Sequence, residues 1–91
     1  MLINDSQELI EVFARIRDTG QMQQFFEEIF TAKERKDLTL RWKLMKMLKS
    51  GIPQRRIASR LGISLCKITR GSKIIQDPSS VTNQIMTHKI K

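Results

Sequence analysis

Ninety-one residues with 17 Lys/Arg, 9 Asp/Glu and one His carry a net charge of +8. That length allows one domain, 1–91, and a limited core of its own. Apolar residues at 40% and charged residues at 29% exclude a disordered chain, and no apolar run approaches the roughly 20 residues of a membrane span.

The N-terminus "MLINDSQELIE" is acidic and polar, which excludes a signal peptide. Asp5 and Glu8 have capping-box spacing ahead of Leu9, Ile10, Val12, Phe13 and Ile16, predicting a first helix that ends near Gly20. Met22, Phe25, Phe26, Ile29 and Phe30 mark a second helix, aromatic enough to be core or interface. Thr31 and Glu34 repeat the capping-box spacing and open a long third helix, "AKERKDLTLRWKLMKMLKS", stopped by Gly51. Its apolar set is Leu38, Trp42, Met45 and Leu48, widened by Leu44 and Met47, and Trp42 is expected in the core. The other face is basic.

Pro53 starts a short helix, "PQRRIASRL", which Gly62 breaks. Ser64 is a good N-cap for the next helix. Pro78 can start a final, weakly amphipathic helix over 78–90, on which His88 is a solvated residue. No segment alternates with period two, so the fold class is all-α with about six helices.

Charge is uneven along this plan. Residues 1–30 hold six acids against Arg15 and Arg17, leaving −4. Residues 31–73 hold thirteen Lys/Arg against Glu34 and Asp37, leaving +11. A basic middle segment beside an acidic start is the footprint of nucleic-acid binding more than of a membrane surface.

The basic segment also carries a pattern. In the twenty positions from Gln54 to Lys73, Ile57 and Ala58 fall fourth and fifth, Leu61 and Gly62 eighth and ninth, Ile63 tenth and Ile68 fifteenth. A small Ala58 allows two helices to cross closely. Gly62 supplies a positive φ for the sharp turn. The aliphatic positions clamp the pair to the core. This is a helix-turn-helix over 53–71, with the second helix expected to end at Arg70-Gly71 and to enter a major groove of double-stranded DNA by its N-terminal end. The DNA-facing candidates are Gln54, Arg55, Ser64, Leu65, Cys66, Lys67 and Thr69. Arg55 can reach a phosphate or a guanine edge. Leu65 and Cys66 suit thymine methyl groups, or alternatively partial burial against neighbouring helices.

No carboxylate pair or nucleophile–base set is present, so no enzyme is read here. One cysteine, Cys66, excludes an intrachain disulfide and a cysteine-rich zinc site, and with one histidine a transition-metal centre lacks ligands. Cysteine usage fits a reducing cytoplasm.

From Thr31 to about Ile75 the chain resembles the bacterial tryptophan repressor family. The likeness rests on Thr31, Glu34-Arg35, Leu38, Arg41, Gly51, Gln54-Arg55, Leu61-Gly62 and "ITRGS" at 68–72. The resemblance implies an intertwined homodimer built on N-terminal dimerisation helices, 1–30, and L-tryptophan as corepressor with no other cofactor. It places the indole between Arg41 and Arg70, with the ligand carboxylate on Arg70 and close backbone approach at Gly71. Thr31 and the carbonyls of Glu28 and Phe30 from the partner subunit would hold the ammonium group. Ile74 stands where the family commonly has a serine that helps bind that ammonium. Lys73 replaces an uncharged residue, and Ala58 stands where a DNA-contacting lysine is common. Taken singly, Arg41 reads as one more cation on a basic face and Arg70 as a phosphate contact. Two other readings stay open: a regulator of this fold not gated by tryptophan, and a replication-initiator-like DNA-binding module. A start at Met1 and the lack of a phosphate loop weigh against the latter.

Overall fold

A computed structural model describes residues 4–89, with side chains through Thr87. Among these residues there are six helices and no strand: α1 Asp5–Arg15, α2 Thr19–Ile29, α3 Ala32–Lys49, α4 Gln54–Leu61, α5 Leu65–Gln76 and α6 Val81–Lys89. The all-α expectation holds. None of the described helices is long and apolar enough to cross a membrane. Residue 90, the expected end of the last helix, and the side chain of His88 lie outside the described residues. The chain divides into two compact units between Lys36 and Asp37.

In the first unit the caps shift from their expected places. Asn4, not Asp5, caps α1: its Oδ1 accepts from the Gln7 amide at 2.8 Å, and Gln7 Oε1 accepts from the Asn4 amide at 3.3 Å. The chain offered two adjacent cap-competent residues, and the earlier one finds a glutamine at the reciprocal position. α1 stops at Arg15 rather than near Gly20. Asp18 accepts from the Gln21 amide at 2.7 Å and starts α2, so Gly20 lies inside the first turn of that helix. Phe13 meets Phe25 edge-on at 5.4 Å and stacks on Phe30 at 6.2 Å, while Phe26 tilts against Phe30 at 5.1 Å. The Thr31–Glu34 capping box forms as expected, with bonds of 2.8 and 3.1 Å. Arg35 adds two hydrogen bonds from its guanidinium to the carbonyls of Glu27 and Phe30.

The second unit is built on Leu44, Ile57 and Ile68, with Met47, Leu48, Ile52, Ala58, Leu61 and Ile63 packed around them. Ile57 and Ile68 are fully buried. α3 ends in a Schellman pattern: Gly51 N–H donates to Leu48 O, Ile52 N–H donates to Met47 O, and Gly51 takes φ 83°. Pro53 sits just before α4 rather than within it. Gly62, at φ 64°, makes the turn into α5. Ser64 caps α5 through a long bond from the Lys67 amide, 3.4 Å.

Three further expectations fail in this unit. α5 does not end at Arg70-Gly71. It continues through Gly71 to Gln76, with Ile68, Gly71 and Ser72 buried. Pro78 does not start the last helix. Asp77 accepts from the amide and hydroxyl of Ser79, and Ser80 caps α6 by accepting from the Asn83 amide. Those two bonds from Ser79 hold the Asp77 carboxyl below its ordinary pKa. Trp42 is not core: it stays 39% exposed. Leu44 and Met45 carry the buried face of α3, and Trp42 lies at the margin of that face, about 60° from Met45 and about 160° from Leu44 around the helix. Lys49 Nζ donates to Asn83 Oδ1 at 2.6 Å, tying α3 to α6.

Candidate functional site

Two helical stripes of equal period define a cleft in the second unit. From α3 come Asp37, Leu40, Arg41 and Leu44, spaced i, i+3, i+4, i+7, with Met45 beside them; from α5 come Lys67, Arg70, Gly71 and Ile74, with the same spacing. Residues so spaced share one face of a helix. Ile63, from the turn before α5, completes a cleft of about 340 Å³, a size suited to a small ligand. Leu40, Leu44, Met45, Ile63 and Ile74 supply its apolar lining; Arg41, Lys67 and Arg70 supply cations, and Asp37 one carboxylate.

Gly71 positions the two walls. A Cβ built there would lie 3.0 Å from Leu48 Cδ1 and 3.4 Å from Leu44 Cδ2 and Met45 Sδ. The absence of a side chain lets α5 pack closely on α3. The close approach made at Gly71 is thus first of all one between helices.

Four of the residues named from sequence for the ligand, Arg41, Arg70, Gly71 and Ile74, line this cleft. Glu28, Phe30 and Thr31 belong to the first unit. There the Phe30 carbonyl accepts from Arg35 at 2.6 Å, the Thr31 hydroxyl accepts from the Glu34 amide at 3.1 Å, and Glu28 accepts from Gln24 at 3.0 Å. Asp37, Leu40, Met45 and Ile63 were not singled out from sequence as ligand contacts. The i, i+4 step from Asp37 to Arg41 was the available signal for the first of them.

The DNA-facing candidates lie on the exposed start of each helix of the pair. Gln54 and Arg55 open α4, and both are exposed. Ser64, Leu65, Cys66, Lys67 and Thr69 are exposed on the first turns of α5. Leu65 is 54% exposed, and Cys66 is exposed as well. Burial against neighbouring helices therefore does not explain either within this chain. Lys67 also borders the cleft, which the sequence did not suggest. Between Leu38 and Gln76 the chain has ten Lys/Arg and no acid, so the segment that contains the helix-turn-helix is uniformly cationic.

Comparison with known proteins agrees with this architecture. The family model described as "Trp repressor protein" matches residues 4–90. A Trp operon repressor homolog of Xylella fastidiosa (strain M23) is 37% identical over 70 residues, 76% of this chain and 76% of its own. One of Vibrio parahaemolyticus is 32% identical over 76 residues, 82% of this chain and 74% of its own. One of Chlamydia trachomatis serovar D is 31% identical over 71 residues, 72% and 76% of the two chains. No solved structure matches at a significant level. The chain belongs to the Trp repressor family of DNA-binding transcriptional regulators.

Proposed function

We propose that this chain is a tryptophan-gated repressor that binds palindromic operator DNA as a homodimer. The observation that carries the reading is the shared use of α5. Its N-terminal turns are exposed for a major groove, and its later turns form one wall of a cleft with arginines on both sides. A ligand seated there contacts the DNA-reading helix directly. Tryptophan suits the cleft. Its indole can lie between the flat guanidinium faces of Arg41 and Arg70, and its carboxylate can pair with Arg70. In the partner subunit, Thr31 and the carbonyls of Glu28 and Phe30 are assigned to its ammonium end.

Dimerisation is supported by what α1 and α2 leave uncovered. Neither helix has a buried residue, and Ile10 and Ile29 remain 63% and 47% exposed. Faces this apolar need a partner.

Gating follows from differential binding. Tryptophan shifts the helix toward its DNA-competent arrangement only by as much as it binds that arrangement better, and a tenfold preference is about 1.4 kcal/mol. Two dimer-related copies of α5 then fit successive major grooves, with half-sites about one helical turn apart.

The test is calorimetric titration with L-tryptophan, followed by a gel shift on palindromic operator DNA. Binding heat is expected, together with a loss of roughly tenfold or more in affinity for Arg70→Ala, the scale of one charge-assisted contact. Operator affinity should rise with tryptophan. No heat, or binding untouched in Arg70→Ala, sinks the pocket assignment; equal operator affinity with and without tryptophan sinks gating. Lys67 and Ile74 favour a second reading, a repressor of this fold answering a different small anion. It gains if other anions bind and tryptophan does not.

A further inference from the structure

α4 is electrostatically costly as it stands. Three of its eight residues are arginine, Arg55, Arg56 and Arg60, and it contains no acid. Arg55 and Arg56 fall in the first turn, where the helix dipole disfavours cations. Arg56 and Arg60 are four apart, a spacing at which like charges destabilise a helix. All three side chains are exposed. Other cations are put to use within the chain: Arg35 donates to the carbonyls of Glu27 and Phe30, and Lys49 donates to Asn83. Among the described residues the one salt bridge is Arg15–Glu11, so no carboxylate there neutralises an arginine of α4.

Two of these arginines form a ridge that faces solvent. Ile57 is buried, and Ala58 and Leu61 pack on the core. Arg56 and Arg60 stand about 40° apart around the helix and about 160° from Ala58. A face that met only water would be more stable with opposite signs at this spacing. In a helix-turn-helix the first helix crosses the DNA backbone, and α4 is that helix. Phosphates supply the counter-charge that the ridge lacks. None of the residues lining the cleft belongs to α4. A ligand seated there touches α3, α5 and Ile63, and leaves the ridge uncovered.

We propose that Arg56 and Arg60 form a phosphate-binding ridge that holds duplex DNA without regard to sequence and without the cleft ligand. The assignment rests on the DNA-binding reading above and adds a surface outside the residues named as DNA-facing from sequence. Reading and holding separate because their ranges differ. Base-edge contacts need hydrogen bonds of about 3 Å, so the arrangement of α5 decides them. Charge attraction acts over about 10 Å at 0.1 M salt, so it survives a change in that arrangement. The ligand then gates reading, while the ridge keeps the chain on DNA.

The experiment measures binding of the full chain to palindromic operator and scrambled duplexes at several salt concentrations, with and without L-tryptophan. It is repeated for the double variants Arg56→Gln, Arg60→Gln and Arg56→Lys, Arg60→Lys. The glutamine variant should lose affinity for both duplexes by the same factor. Its slope of log affinity against log salt should fall by about 0.9 for each arginine removed, equally with and without tryptophan. The lysine variant keeps both charges and should keep the slope. Without DNA, the glutamine variant should unfold at a higher temperature than the unaltered chain at low salt, and the difference should vanish near 1 M salt, where charges are screened within about 3 Å. A lower midpoint would give the arginines a structural role and overturn the ridge. So would an unchanged slope, a loss confined to the operator, or a loss seen only with tryptophan, and each of these leaves the reading helix standing. Failure of the unaltered chain to bind either duplex removes the DNA-binding reading, and the ridge with it.

Discussion

Gly71 shows how one residue can carry a meaning that its sequence neighbours hide. A glycine in a helix interior costs about 1 kcal/mol relative to alanine, so "TRGS" reads locally as a helix ending. In the structure the helix runs on, and the glycine is buried against Leu44, Met45 and Leu48. The close crossing of α3 and α5 compensates the poor propensity, and that crossing also shapes the cleft. Gly71→Val should therefore destabilise the chain by about 1–3 kcal/mol, the usual scale of an overpacked contact. Urea unfolding measures it, and an unchanged midpoint contradicts the packing account. The other turn glycines were legible because their role is local. Gly51 and Gly62 adopt φ of 83° and 64° and end their helices, as a single sequence predicts. Gly71 was not legible, because its role depends on atoms more than twenty residues away. The ligand-side positions divide in the same way. Arg41, Arg70, Gly71 and Ile74 came from the family resemblance, whereas Asp37 becomes visible only when two helix stripes face each other.

At the scale of elements, local chemistry located the helices well and their ends less well. The helix-turn-helix emerged because its signals are redundant: a small crossing residue, a left-handed turn glycine, a serine cap and spaced aliphatics all agree. The ends slipped where two candidates competed. Asn4 displaced Asp5, Asp18 displaced the stop expected at Gly20, and Ser80 displaced Pro78. Each correction replaces one plausible cap by another whose hydrogen bond geometry closes. The same pair of helices permits a prediction about DNA. Arg55 is exposed at the first turn of α4, the element expected to lie along the DNA backbone. If it contacts a phosphate, Arg55→Gln should weaken binding to every sequence alike and reduce the slope of log affinity against log salt by about 0.9. If it contacts a guanine edge, discrimination at one base pair should fall instead, by about 1–3 kcal/mol. Binding isotherms on operator and scrambled DNA at several salt concentrations separate the two. Unchanged slope and unchanged discrimination remove Arg55 from the interface.

On the scale of the whole molecule, the first unit sets the requirement. Four phenylalanines gather there, yet α1 and α2 bury no residue in a single chain. A second copy of the chain is the partner proposed to cover them. Light scattering should then give twice the 10.6 kDa chain mass, and the thermal midpoint should rise with protein concentration, because association stabilises only the folded form. The charge distribution sharpens this expectation. The first thirty residues carry −4 and residues 31–73 carry +11, so the apolar helices proposed for dimerisation are not the segment proposed for DNA. Contacts made by apolar burial are little weakened by salt, whereas phosphate contacts lose affinity steeply. Raising salt should therefore strip operator DNA from the protein while its mass in solution stays that of a dimer. A mass that halves as the DNA is released would show that pairing of the chains depends on the DNA, and would remove the first unit as the dimerisation element. A monomer at every concentration, with a midpoint that does not move, would reject the homodimer altogether.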